Sequence, residues 1–522
     1  MRRLGKAFLF TVLSSLLLLP LAAGSLTPGE QKGKQIYFQG TSPGGGLIQA
    51  YIGHNRIPLP GTAATCASCH GPDGRGRPEA GVIPADITWN HLVKPYGHTH
   101  PMGRRHAAYN EESLKASLLT GHDPSGNPFH SSMPVYSMSE EDLSDLVAYL
   151  KRLEEDLDPG LTATEIRIGT VLPTSGRMAA IGLGIEELVQ AYFEEINSRG
   201  GIYRRKLRLV KSSYDNNRHS PLSGATRLVD EEEIFALVSP VVAGADQEIG
   251  ELAEREGIPV IGPLTLFSPD PYTLNDFTFY VYSGLREQAE ALLEFASQEL
   301  QLKELNLAVL GPDEKRYRDI REAIAHQSDA LGWVSSRSVL SAASQTRALV
   351  KKLQEEETNA LLFLGPADLY PLLQEAEKNN WRPFVFLPSG FVRKEILELP
   401  SGFQKKVYIS YPTLPSDQTP AGVAEFQSLL KERGLSVRHG ASQVSALAAA
   451  KILVEGLKGA GRNLSRETFL RTLEKLNQFP TGLTPRITFG SNRRVGARGA
   501  YVVTVDLEAK DFVPVGGWIT RE

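Results

Sequence analysis

Cysteine is almost absent from this chain: 522 residues contain two, Cys66 and Cys69. That scarcity excludes a fold stapled by disulfides, and beyond residue 69 it excludes a thiol nucleophile or a cysteine-ligated metal. An excess of basic charge is lacking too. Lys and Arg number 56 against 60 Asp and Glu, a net charge of -4, so nothing favours a nucleic-acid partner. Past the first two dozen residues no apolar run reaches the ~20 residues of a spanning helix, and no stable membrane span is expected. No nucleophile elbow between a strand and a helix is recognised, no P-loop occurs, and no enzyme activity is expected.

Both cysteines fall in Cys66-Ala67-Ser68-Cys69-His70. Two thiols so spaced on one helical turn can add to the two vinyl groups of one haem, while the adjacent His70 presents a ring nitrogen to the iron. The spacing points to one covalent haem c, with Cys66 and Cys69 as attachment points and His70 as iron ligand. A dithiol redox pair, a structural disulfide and half of a zinc site use the same thiols. A redox pair has no need of His70, and a zinc site wants a second Cys or His pair at ligand spacing.

Arg2, Arg3 and Lys6 precede an apolar run from Ala7 to Leu21, followed by the small residues Ala22, Ala23 and Gly24. This predicts a cleaved secretory signal over 1–24, a mature chain starting near Ser25, and a periplasmic or otherwise exported protein. No Cys lies near the cleavage point to carry a lipid anchor. Haem is attached covalently on the outer side of bacterial membranes, so the leader and the haem motif agree.

Residues 25–153 read as the first domain. Thr27-Pro28-Gly29-Glu30 predicts a capped helix start, and the helix carries Gly33 and Tyr37 one turn apart. The Gly- and Pro-rich stretch from Gly40 to Gly61 is expected to be an insertion loop. A second iron ligand is expected at Met133, in a loop before Ser139-Glu140-Glu141-Asp142, which reads as an N-cap with acidic residues in the first turn. Leu143, Leu146, Val147 and Leu150 give the following helix an apolar face. Met102 and Met138 are rival thioethers.

Between Ile83 and Asn110 lies a long loop with His91, His98, His100 and His106. The pair His98 and His100 is competent to bind a metal or to replace Met133 on the iron. The absence of a carboxylate at metal-site spacing favours a polar surface loop over the haem crevice.

Gly33 and Tyr37, Cys66-Ala67-Ser68-Cys69-His70-Gly71, Met133-Pro134 and Ala148-Tyr149-Leu150 together resemble the class I cytochrome c family. The resemblance implies an all-α domain, His70 and Met133 as axial ligands, electron transfer, and a redox partner protein in the periplasm. The insertion before Cys66 and the His-rich loop depart from the smallest members.

Residues 154–164, with Glu154-Glu155-Asp156 and the breaker Pro159-Gly160, read as a linker. Beyond Glu165, apolar runs alternate with amphipathic helices. Strands are predicted over Ile166 to Leu172 and near Leu207, Phe235, Pro259, Leu305, Ala360 and Phe384; a helix presents Val189, Tyr192, Phe193 and Ile196 on one face. That alternation predicts parallel sheets covered by helices, with chain enough for two α/β lobes.

Ile168-Gly169-Thr170-Val171-Leu172-Pro173, Glu195-Ile196-Asn197-Ser198-Arg199-Gly200-Gly201-Ile202 and Gly257-Ile258-Pro259-Val260-Ile261 resemble type I periplasmic solute-binding proteins, the Leu/Ile/Val-binding receptors of ABC transporters. Ile487-Thr488-Phe489 and the strand from Ala500 to Asp506 are similar to that family's closing hairpin. The resemblance implies a two-lobed α/β fold over 165–522, with one lobe from about 165–283 plus 411–485 and the other from 284–410 plus 486–522. It also implies a small-molecule solute in the cleft and an ABC permease or a dehydrogenase as partner.

Ligands of such sheets lie beyond the carboxyl ends of strands, among loops and helix N-termini. Thr174, Ser175, Ala243, Asp246, Thr265, Tyr317 and Ser389 are therefore candidate contacts, each equally open to being a solvated loop residue. Amino-acid receptors of this family place a serine or threonine after the third strand to clamp the ligand carboxylate. Here the stretch reads Ser239-Pro240-Val241-Val242-Ala243-Gly244-Ala245-Asp246, with Asp246 where an anion would be received. Like charges disfavour binding in a partly desolvated cleft, so a neutral or cationic solute or a small alcohol-derived metabolite is expected over leucine. If Asp246 instead faces solvent at a helix N-terminus, it stabilises the dipole and leaves the cleft to Thr265 and backbone donors.

The whole reads as an exported c-type haem protein that transfers electrons, tethered to a solute-binding module. Its rivals are a redox-responsive solute receptor for transport or sensing, an accessory electron-carrier subunit of a periplasmic dehydrogenase, and a haem enzyme with an open iron position.

Overall fold

The computed structural model describes residues 26–53, 55–76, 82–100, 103–215, 220–242, 244–268, 275–338, 346–365 and 369–520. The leader expected over 1–24, the rival thioether Met102 and the candidate contact Ala243 lie outside the described residues. The chain divides into two units, Met1–Leu157 and Asp158–Glu522.

In the first unit, helix Pro28–Gln39 begins with a capping box: Thr27 Oγ1 accepts from the Glu30 N–H, and the Glu30 carboxylate accepts from the Thr27 N–H at 2.7 Å. It crosses helix Glu140–Arg152 at Gly33, where an added Cβ would stand 2.0 Å from the Asp145 carbonyl oxygen. Only glycine lets two backbones approach so closely. The rings of Tyr37 and Tyr149 fill the crossing with centroids 5.6 Å apart. Tyr37 Oη donates to the Gly71 carbonyl at 2.6 Å, which ties this helix to the segment after His70. Leu143, Leu146, Val147 and Leu150 are all buried in the unit's core, as their spacing predicts.

The unit is not all-α. The stretch expected as an insertion loop forms strands Gln49–Ile52 and Ile57–Pro60, which join Val135–Ser137 in a three-stranded antiparallel sheet. Pairing sets Ala50 opposite Tyr136, and both are buried, so the sheet has an apolar face to bury. Pro58 and Pro60 are tolerated because Ile57–Pro60 is the edge strand, where a missing N–H leaves no ladder bond unmade. The polar surface loop expected at the histidines is corrected as well. His98–Thr99 pairs with Arg105–His106 as a short antiparallel ribbon, and His106 is buried.

The second unit holds two sheets. The first is parallel throughout, in the order Val495–Ala497, Thr278–Tyr282, Val260–Ile261, Ala236–Val238, Glu165–Pro173, Lys206–Tyr214. Helices Ala179–Ser198 and Gly440–Ala460 pack with this lobe, and Val189, Tyr192, Phe193 and Ile196 are buried on the face their spacing marks. In the second sheet Val334–Ser338, Asn306–Leu310, Ala360–Phe363, Phe384–Pro388 and Val407–Tyr411 are parallel; Tyr501–Asp506 and Asp511–Pro514 add an antiparallel hairpin. Hydrophobic cores lie on both of its faces.

The chain passes between the sheets three times, after Tyr282, after Tyr411 and after Ala497. The last passage corrects the expected boundary at 485. Val495–Ala497 pairs with Thr278–Tyr282, and Phe489 packs edge-on against Phe279 at 5.0 Å, so residues 486–497 stay with the first lobe. Ile487-Thr488-Phe489 therefore takes no part in the closing hairpin, which Tyr501–Asp506 forms with Asp511–Pro514.

Candidate functional site

Helix Cys66–His70 is little more than one turn long. Thr65 caps it, its Oγ1 accepting from the Ser68 N–H, and Tyr136 Oη donates to the Ala64 carbonyl at 2.8 Å just upstream. The turn opens on a cavity of about 470 Å³ lined by Cys66, Cys69, His70 and Met133. Sites that enclose a cofactor-sized ligand measure about 300–1,000 Å³. The remaining wall is mostly apolar, with Leu59 from the small sheet, Ile87 and Leu92 from the His-rich segment, and Leu146 and Leu150 from the last helix.

The chemistry of these donors fits a haem. The two thiols are free, and the disulfide alternative falls away. Burial pushes the Cys66 thiol up to about 12, which disfavours the thiolate of a dithiol redox pair near neutral pH. His70 Nδ1–H donates to the Ala85 carbonyl at 2.8 Å, which leaves Nε2 as the lone-pair nitrogen. Burial depresses the ring's proton affinity and keeps it neutral, the form that ligates iron.

Met133 is held in a turn by its N–H to the His130 carbonyl at 2.9 Å, and its side chain packs on the core. Met138 also packs on the core but does not line the cavity. Among the described residues no group of three His, Cys, Asp or Glu could hold a metal ion by itself, which leaves the zinc alternative and a separate His98/His100 metal site without support.

Sequence reasoning missed Ala85 and Tyr136, whose roles depend on backbone carbonyls, and Arg104 and Tyr109, which share the cavity wall with His91, His98, His100 and His106. The alternation of His98 and His100 was the available signal for that wall.

In the second unit the candidate solute contacts divide. Asp246 opens helix Asp246–Glu256, and its carboxylate accepts a short hydrogen bond from Thr265 Oγ1. Burial raises the Asp246 carboxyl from its ordinary value, against the lowering effect of Thr265 and of Arg316 nearby. Asp246 is half-buried rather than free in solvent. Tyr317 is buried in the second lobe's core, edge-on to Phe267 at 5.3 Å, so its ring is a packing element. Arg316, which the sequence did not mark, lies over Phe267 at 4.6 Å and comes within 3.0 Å of where a Gly244 Cβ would stand.

The remaining candidates stand apart. Thr174 donates both its N–H and its hydroxyl to the Tyr214 carbonyl, at 3.0 and 3.1 Å. Ser175 is exposed, and Ser389 starts the short turn Ser389–Phe391. Among the described residues no hydrogen bond links these three to Asp246 or Thr265.

The Periplasmic binding protein family matches residues 165–511, and the Cytochrome c family matches residues 62–154. Leu/Ile/Val-binding protein homolog 7 of Brucella abortus is 22% identical over 244 residues, 44% of this chain and 59% of that protein's length. Leu/Ile/Val-binding protein BraC3 of Rhizobium johnstonii is 28% identical over 110 residues, 21% of this chain and 29% of that one. The chain thus spans less than two thirds of the length of these curated relatives.

Solved structures cover the second unit more fully. A leucine binding protein from Thermotoga maritima matches with a TM-score of 0.53 at 17% identity, over 68% of this chain and 99% of that one. A branched chain amino acid ABC transporter protein from Thermus thermophilus with bound valine matches with a TM-score of 0.55 at 17% identity, over 69% and 97%. At such identities the likeness is one of fold. With the family match running from the first strand of the parallel sheet into the closing hairpin, this chain belongs to the periplasmic binding protein family, and a cytochrome c domain precedes its leucine-binding-like domain.

Proposed function

We propose that the protein is an exported c-type cytochrome that carries electrons through one covalently bound haem and binds a small solute in its second unit. The observation that supports this reading most is that Cys66, Cys69, His70 and Met133 line one cavity. In this reading Cys66 and Cys69 would hold the haem covalently, and His70 Nε2 and the Met133 sulfur would hold its iron. Bound haem supplies a one-electron redox centre. The chain's own part is to hold the His70 ring through Ala85 and to keep water from the iron with an apolar wall. With His70 and Met133 both holding the iron, no position would remain for a substrate, which favours electron carriage over catalysis.

Membership of the periplasmic binding protein family supports a small-molecule ligand and an ABC permease as partner for the second unit. A redox protein in the periplasm is the partner for the first. Export fits the family's compartment, and among the described residues no helix is long and apolar enough to cross a membrane. For the solute, the half-buried Asp246 favours a neutral or cationic molecule over an amino acid presenting its carboxylate.

Haem attachment is tested directly. Protein made with the haem-maturation machinery is expected to keep its haem colour through denaturing electrophoresis, and Cys66→Ala with Cys69→Ala to lose it. A colourless wild-type protein would overturn the reading.

A further inference from the structure

A positive charge already sits where the two lobes of the second unit meet. The guanidinium of Arg316, from helix Lys315–Ala330 of the second lobe, lies 4.6 Å from the ring centroid of Phe267 and 5.6 Å from that of Tyr317. Both distances fall within the ~6 Å at which a cation is drawn to an aromatic face. The two rings stand at 89° to each other, so the guanidinium meets a corner of two perpendicular rings. The corner is firmly held, because Tyr317 is buried in the second lobe's core and Phe267 packs against that core.

The chain path brings both lobes to this point. Phe267 follows the strand Val260–Ile261 of the first lobe, and hydrogen bonds fix the turn that carries it onto the second lobe's core. Thr265 Oγ1 accepts from the Phe267 N–H at 2.8 Å, and the Leu266 carbonyl accepts from the Leu285 N–H at 2.7 Å. Arg316 reaches the other way. Its Nη1 lies 3.0 Å from where a Cβ on Gly244 would stand, and Gly244, in the first lobe, has a φ of +90°. Glycine suits both demands, since it adopts that backbone angle freely and leaves the guanidinium room.

Carboxylates complete the surroundings. Asp246, two residues beyond Gly244, is half-buried, and the Arg316 charge is close enough to act on its carboxyl. The Asp246 carboxylate accepts from Thr265 Oγ1, so the turn that places Phe267 also places the carboxylate. Towards solvent, exposed Glu314 pairs with Arg316 at 2.8 Å. Aromatic faces with a partly buried carboxylate beside them are what a small organic cation asks of a binding site. Here the chain supplies the cation itself, with the side chain whose planar charged group stacks on aromatic rings.

We propose that Arg316 is the built-in occupant of a cation site formed by Phe267, Tyr317 and Asp246, and that by filling it Arg316 restricts the cleft to an uncharged solute. The inference rests on the solute-binding reading above and narrows its choice between neutral and cationic molecules. A cationic solute has to displace Arg316 from both rings and take its place beside Asp246. An anionic solute meets the Asp246 carboxylate. A neutral polar solute does neither, and the Arg316 side chain, 42% exposed, offers N–H donors to its oxygens.

Tetramethylammonium chloride, a cation without an N–H, serves as the probe of the corner. It is titrated by calorimetry into the full chain against sodium chloride of the same ionic strength. Wild type is expected to show no saturable binding. Arg316→Ala and Arg316→Gln, which empty the corner of charge, are expected to gain it, and adding Asp246→Asn to either to weaken it at least about tenfold. Arg316→Gln keeps most of the side chain's length, so it carries the test where Arg316→Ala disturbs the fold. Arg316→Lys keeps a cation in the corner and is expected to stay without binding, which separates a filled site from a loosened fold. Saturable binding by wild type or by Arg316→Lys, or none by Arg316→Gln, overturns the proposal. The solute class is read on wild type by thermal shift with alcohols and amides, with amines, and with carboxylates. Stabilisation by alcohols or amides is expected, and stabilisation by amines or carboxylates in their stead overturns the proposal. No stabilisation by any class, with tetramethylammonium binding gained by Arg316→Gln, upholds the filled site and counts against the solute-binding reading alone.

Discussion

Met133 and Met138 both pack on the core of the first unit, but of the two only Met133 lines the haem cavity. Met133→Ala is therefore expected to abolish the weak sulfur-to-iron absorption of the oxidised protein, and Met138→Ala to leave it in place. The reverse result would move the axial thioether to Met138. In the second unit, Asp246 places a half-buried carboxylate at the start of helix Asp246–Glu256, with its hydrogen-bonding capacity partly taken by Thr265. A ligand carboxylate brought there meets like charge, against which the Arg316 guanidinium nearby acts. Calorimetry with leucine, isoleucine and valine is expected to find binding weaker than micromolar, that is, less than about 8 kcal/mol. Micromolar binding of any of the three would refute it. The residues that define these sites differ in legibility. Cys66, Cys69 and His70 are marked by spacing along the chain, whereas Ala85 acts through its carbonyl, which no side-chain pattern reports.

The crossing of helices Pro28–Gln39 and Glu140–Arg152 depends on one missing side chain. A Cβ at Gly33 would meet the Asp145 carbonyl, which is backbone and has no room to yield. Gly33→Ala is expected to force the helices apart and destabilise the first unit by about 1–3 kcal/mol, the usual cost of overpacking. Thermal unfolding followed at the haem absorbance checks this, and an unchanged midpoint would show that the crossing relaxes freely. Helix starts were legible because caps are local: Thr27 with Glu30, and Ser139 with the Asp142 N–H, act within one turn. The strands Gln49–Ile52 and Ile57–Pro60 were not. Their glycine- and proline-rich surroundings read as loop, and their partner Val135–Ser137 lies far along the chain, so only the pairing discloses them.

At the scale of the whole molecule, each unit has a hydrophobic core of its own, the first around Tyr37, Leu146 and Tyr149, the second on both faces of its seven-stranded sheet. Domains so built unfold as separate cooperative steps. Scanning calorimetry is expected to show at least two transitions, only one of which coincides with loss of the haem absorbance. A single transition common to both probes would show that the units unfold together. The sequence alone determined that a cytochrome c domain precedes an α/β domain and where the Cys-x-x-Cys-His motif lies, because domain texture, helix caps and motif spacing are written in neighbouring residues. It also determined the parallel α/β character of the second domain, through apolar runs short enough to be strands. Tertiary structure alone decided where the chain last crosses between lobes, because Val495–Ala497 is claimed by pairing with Thr278–Tyr282 rather than by its own composition. It alone also turned scattered histidines into one stacked wall. That arrangement follows from the ribbon's register and the close turn at Gly97, and register is a property of two strands together.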